Sequence, residues 1–150
     1  MPQKQREIII SKENAVFWMD KNGVWNNEHG KFEHPRIIKY FNASIKKDTK
    51  GYYVHQETAE CKEKVYFRYE DTALFVFDIH VNEDIVLILN TSDTIPCDPT
   101  QLFSRDDNLY IKTAEHRIKF NDRALLKISK FMEEKDGQLV FTLNGKTYPV

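Results

Sequence analysis

Two stretches of the chain alternate strictly between apolar and polar positions. Val65, Phe67 and Tyr69 fall on one side of an extended segment, with Tyr66, Arg68 and Glu70 on the other. Slightly further on, Phe75, Phe77, Ile79 and Val81 stand opposite Leu74, Val76, Asp78 and His80. Both patterns predict half-buried antiparallel strands, over 65–69 and 73–81. Residues 52–56 read as another strand, and 85–89, apolar on both sides, as a central one. A different period marks the helices. Ile37, Phe41 and Ile45 recur at helical spacing behind Pro35, which suits a first helical position, and Gly51 stands where a left-handed cap is expected. Asn121 or Asp122 caps a second helix with Leu125, Ile128 and Met132 on one face, and Gly137 ends it. Asn-Gly pairs at Asn22-Gly23 and Asn144-Gly145 predict hairpins near each end of the chain.

These elements give an α+β fold, mostly antiparallel strands with two helices, arranged as two related hairpin-helix-strand halves. Residues 1–14 read as a loosely held lead-in and 15–150 as a single domain, whose halves, 15–90 and 107–150, are joined by a turn-rich connection. Laying one half over the other brings Phe32 onto Phe120, Ile37-Ile38-Lys39 onto Leu125-Leu126-Lys127, and Lys47-Asp48 onto Lys135-Asp136.

Composition narrows the function. The 150 residues carry 22 Lys plus Arg against 23 Asp plus Glu, so the net charge is −1, and acids interleave with bases throughout. Nucleic acid is therefore not the default partner, since phosphate backbones need a positive face. A chain of this length buries enough surface to fold without a disulfide or metal. The longest apolar run, Ile85–Leu89, is too short for a membrane span, and the isoleucine triplet at 8–10 is too short for a signal peptide, so a cytoplasmic location is expected. Cys61 and Cys97 then read as reduced thiols.

The segment Glu63-Lys64, Arg68-Tyr69-Glu70-Asp71 and Leu74-Phe75 resembles a bacterial family of uncharacterised proteins, domain of unknown function 1285, with Leu74 where that family carries proline. The similarity extends to Gly23-Val24-Trp25, Arg36-Ile37-Ile38, residues 48–52 and Asn90-Thr91. The resemblance implies an α+β fold of repeated helix-and-strand motifs and a role in ligand or signal recognition. It supplies no catalytic residue.

The five glycines, at 23, 30, 51, 137 and 145, never cluster, which excludes a phosphate loop of the Walker or Rossmann kind. Neither cysteine has a ligand at metal spacing, so no metal or other cofactor is expected. Cys97, in Pro96-Cys97-Asp98, lacks a neighbouring base and reads as an ordinary thiol. Arg68, Glu70 and Asp71 form the densest polar group. Their ordinary reading is a salt-bridged strand end; their functional reading makes Arg68 the anchor for an anionic ligand, helped by Arg36, with Trp25 as an aromatic platform and Tyr66 and Tyr69 nearby. Asp78 and His80 share a strand face and, through a turn at Asn82-Glu83, are expected opposite Leu87 and Ile85. The sequence thus points to a small-ligand or protein-binding module in signal transduction, its partner a small anion or a protein, with room for a homo-oligomer. The alternative is an enzyme with a site around Asp78, His80 and Arg68, and an RNA binder ranks below both.

Overall fold

The computed structural model describes residues 6–150, which form two compact units dividing between Ala73 and Leu74. In the first unit the elements run β1 (Arg6–Ile10), β2 (Phe17–Met19), β3 (Trp25–Asn27), β4 (Gly30–Lys31), α1 (Pro35–Ala43), β5 (Ile45–Asp48), β6 (Gly51–Glu57), β7 (Cys61–Tyr66) and β8 (Arg68–Tyr69). They build two four-stranded sheets, ordered β1-β7-β6-β5 and β4-β3-β2-β8.

Several expectations change here. Residues 6–10 do not lie in a loose lead-in: β1 runs parallel to β7, with Arg6 opposite Cys61 and Ile10 opposite Val65. The strand expected over 65–69 is two strands in different sheets. It breaks at Phe67, whose ring is buried among Phe17, Trp25 and Tyr69, while β8 departs to run parallel to β2. Helix α1 begins at Pro35, whose fixed φ suits the first turn, but it stops before Ile45. Ser44 closes it: its backbone N–H donates to the Phe41 carbonyl and its hydroxyl to the Tyr40 carbonyl at 2.7 Å. Ile45 then enters β5, and Gly51, at φ +121°, follows the β5–β6 turn instead of capping the helix.

The core of this unit is aromatic. Phe41 on α1 meets Phe17 and Trp25 edge-on, with centroids 4.9 and 5.4 Å apart, and Trp25 meets Phe67 at 4.8 Å. Burying one such ring contributes about 1.5–3 kcal/mol, and edge-to-face pairing adds to that.

The second unit continues with β9 (Phe75–Val81), β10 (Ile85–Leu89), β11 (Thr94–Pro96), a 3-10 turn at Pro99–Gln101, β12 (Leu102–Arg105), β13 (Asn108–Lys112), β14 (Arg117–Phe120), α2 (Asp122–Ile128), a 3-10 turn at Ser129–Phe131, β15 (Met132–Lys135), β16 (Gln138–Leu143) and β17 (Lys146–Pro149). A six-stranded sheet runs β11-β10-β9-β14-β13-β12, and β15-β16-β17 form a meander. The segment expected to join two halves, 90–107, instead supplies β11 and β12, the two edges of the six-stranded sheet. Asn90 helps fix it there: its backbone N–H donates to the Phe75 carbonyl and its side-chain Oδ1 accepts from the Phe75 N–H at 3.1 Å.

The sheets are mixed, not antiparallel throughout, because β9 pairs in parallel with β14 as β1 does with β7. Within β9, Asp78 lies opposite Ile88 and Val76 opposite Leu89, so Phe77 is an extra residue that breaks the alternation, and Phe75 and Val76 are both buried. Asn121 caps α2 as expected, its Oδ1 accepting from the Ala124 N–H at 2.9 Å. The helix is shorter than its stripe suggested. It buries Ala124 and Ile128 against β9, and Met132 leaves it to start β15. The molecule is thus α+β, mostly strand with two helices, and among the described residues no helix is long and apolar enough to cross a membrane.

Candidate ligand-binding site

Alternation along β2 sends Phe17 and Met19 into the core and Trp18 outward, leaving the indole 42% exposed. Strand pairing gives that indole its neighbours. Asn26 on β3 lies opposite Trp18, Lys31 on β4 opposite Asn26, and Arg68 on β8 beside Trp18. One residue per strand therefore forms a row, Lys31, Asn26, Trp18, Arg68, across the outer face, neighbours standing about 4.8 Å apart in the hydrogen-bonding direction.

A pocket of about 650 Å³ opens against this row, lined by Trp18, Asn26, Arg68, Lys12, Asp20, Tyr69 and Glu70 among others. Its acids are committed to the backbone. Asp20 Oδ1 accepts from the Asn22 and Val24 N–H groups at 2.8 and 3.1 Å, shaping the hairpin turn, and Glu70 Oε2 accepts from the Lys21 N–H at 2.6 Å. Its cations are uncommitted: the side chains of Arg68 and Lys12 make no ion pair or hydrogen bond among the described residues. Two free cations beside an exposed indole can take an anion attached to a flat or apolar group.

Arg68, Tyr69 and Glu70 are thus brought together at this pocket, but Trp25, Arg36 and Asp71 are not. Trp25 is 1% exposed, its Nε1–H donating to Asn42 Oδ1 at 2.7 Å, so it is core and offers no platform. Arg36 is exposed on α1 outside the pocket lining, and Asp71 is half-buried just beyond β8, also outside it. Trp18, Lys12 and Asn26 were missed, although the inward-outward period of 17–19 already sends the residue between Phe17 and Met19 away from the core.

Asp78 and His80 differ in their surroundings. The turn takes in Asn82, Glu83 and Asp84, so Asp78 faces Ile88 and His80 faces Val86, one residue from the expected register. His80 is exposed, while Asp78 accepts from Lys127 Nζ at 2.6 Å and has Arg123 at 3.4 Å, both from α2. The Lys127 hydrogen bond, above all, holds the Asp78 carboxyl below the usual carboxylate range. These residues belong to the second unit and Arg68 to the first. Burial pushes the Cys97 thiol up to about 12, with Asp98 adding to the shift, so its thiolate is disfavoured at neutral pH. Among the described residues no group of three or more His, Cys, Asp or Glu could hold a metal ion. On the sheet ending in β5, the Tyr66 hydroxyl donates to Asp48 Oδ2 at 2.5 Å, an ordinary structural bond across β6.

Two crystal structures share this arrangement of elements. A DUF1285 family protein from Silicibacter pomeroyi DSS-3 superposes with a TM-score of 0.62 at 13% identity, over 98% of this chain and 83% of that one. The fold is that of the DUF1285 proteins. A second, from Shewanella baltica OS155, superposes with a TM-score of 0.50 at 17% identity, over 71% of this chain and 84% of that one. The resemblance read at residues 63–75 is thus met at the level of the DUF1285 fold. No protein-family model matches the sequence, and no curated protein matches it.

Proposed function

We propose that the chain is a small-ligand-binding module whose pocket beside Trp18 takes a compact anion bearing a flat group. The observation that carries this reading is the uncommitted Arg68 guanidinium standing next to the exposed Trp18 indole, while both acids of the pocket are bonded to backbone. Arg68 offers a planar fork matched to carboxylate or phosphate oxygens. The pocket volume lies within the range of small-ligand sites. Catalysis is less well supported, because the lining holds neither histidine nor cysteine and no nucleophile sits beside a base.

A binding module without chemistry of its own fits a cytoplasmic role in signalling, where ligand occupancy is the message. In both units a helix is followed by an antiparallel pair of strands, α1-β5-β6 and α2-β15-β16, which supports relating the two as repeats.

The test uses phenyl phosphate, which joins a dianion to a flat ring. Trp25 is buried, so saturable quenching of tryptophan fluorescence reports Trp18. Binding that weakens at least tenfold in Arg68→Ala, confirmed by calorimetry in Trp18→Phe and wild type, supports the proposal. Equal affinity in Arg68→Ala, or no binding to wild type, overturns it.

A further inference from the structure

Resting on that reading, we propose that the ligand is a nucleoside monophosphate, its base stacked on Trp18, an N–H of the base donated to Asn26, and its phosphate held by Arg68 and Lys12. Three features of the pocket each specify one part of the molecule.

The first is charge. Arg68 and Lys12 both line the pocket and neither has a partner among the described residues, whereas Asp20 and Glu70 are occupied. A phosphate monoester, with three acceptor oxygens and about −1.5 to −2 charge at pH 7, can engage both cations at once, while Asp20 and Glu70 keep their own charges under their backbone hydrogen bonds. Side-chain cations also replace the glycine loop that the sequence lacks, which suits one phosphate better than a chain of them.

The second is the amide of Asn26. Its Nδ2 donates to the Val24 carbonyl at 2.9 Å and, more weakly, to Asp20 Oδ2 at 3.4 Å. Those bonds fix which way the amide faces and leave Oδ1 as an acceptor without a partner among the described residues. An acceptor next to a stacking surface reads the N–H edge of a heterocycle and gives nothing to a plain hydrocarbon ring.

The third is the platform. Trp18 lies between Asn26 and Arg68 in the cross-strand row, so a ring stacked on the indole can turn its edge to the amide on one side and its substituent to the guanidinium on the other.

AMP, GMP, CMP and UMP are titrated singly against Trp18 fluorescence, alongside phenyl phosphate and the free nucleosides. At least one monophosphate is expected to bind ten or more times tighter than both phenyl phosphate and its own nucleoside. Asn26→Ala should remove the advantage over phenyl phosphate while leaving phenyl phosphate binding intact, which also shows that the variant is folded. If all four bind no tighter than phenyl phosphate, whose binding still depends on Arg68, the anion pocket stands and the nucleotide assignment falls. If the advantage survives Asn26→Ala, the assigned base contact falls. If none of the five phosphates binds, both readings fall together.

Discussion

The Trp25 indole N–H donates to Asn42 Oδ1 at 2.7 Å in the interior of the first unit, joining β3 to the inner face of α1. Each group satisfies the other where water does not reach, so the bond is costly to break from one side only. Asn42→Leu strands the indole N–H and is expected to cost about 1–3 kcal/mol in urea unfolding. Trp25→Phe strands the amide and removes ring volume. The double variant should lose less than the sum of the two, a non-additivity that identifies the bond itself. Strict additivity would mean that the two side chains act independently.

The pH dependence of stability should carry the mark of Asp78. Its folded pKa is depressed, chiefly by Lys127, so its contribution is fully present above the unfolded value of about 3.9 and is lost as pH falls through the lower folded value. Asp78→Asn is expected to cost about 1 kcal/mol at pH 7, with the difference from wild type shrinking as pH falls below the unfolded value. Unfolding midpoints measured from pH 7 to pH 2.5 check it.

Tyr66 should titrate late. Its hydrogen bond to Asp48 and then burial raise its pKa to about 12, so this contribution holds below the unfolded value of about 10 and is lost as pH rises toward 12. In an absorbance titration of the phenolates, Asp48→Asn should shift one tyrosine step to lower pH. An unchanged curve would place the hydroxyl elsewhere.

Cys97 should resist thiol reagents in the folded protein, since it is buried and its thiolate is disfavoured. In a Cys61→Ser background, Ellman's reagent at pH 8 is expected to find no fast thiol until denaturant is added. A stoichiometric burst in buffer would contradict the placement of Cys97.

One substitution should stabilise. Asp106 and Asp107, at φ +50° and +63°, form the two-residue turn between β12 and β13, a left-handed conformation that Asn144-Gly145 adopts with more suitable residues in the last hairpin. Asp107→Gly is expected to add about 0.5–1 kcal/mol, read from the urea midpoint at constant slope.

Much of this architecture was written in local patterns. The outward turn of Trp18 follows from two apolar neighbours, the closing hairpin from Asn144-Gly145, and the start of α2 from Asn121. What local patterns do not carry is pairing between distant segments. The break at Phe67 decides that Arg68 stands beside Trp18, and nothing in residues 65–69 alone announces that the chain changes sheets there. Trp25 was misjudged for a related reason: its burial is made tolerable by Asn42, a polar residue on the inner face of α1 that a hydrophobic stripe does not flag. The end of α2 was overestimated because Met132 fits a helical face and a strand equally well.

Strand β1 carries a consequence for the order of folding. Arg6 pairs with the region of Cys61, so everything from β2 to β6 lies inside the loop that this contact closes. The entropy of closing so long a loop is recovered only once β7 is already in place on β6. Made before β7, the Ile8-Ile9-Ile10 segment therefore waits unpaired, and docks onto a sheet that β5, β6 and β7 have assembled without it.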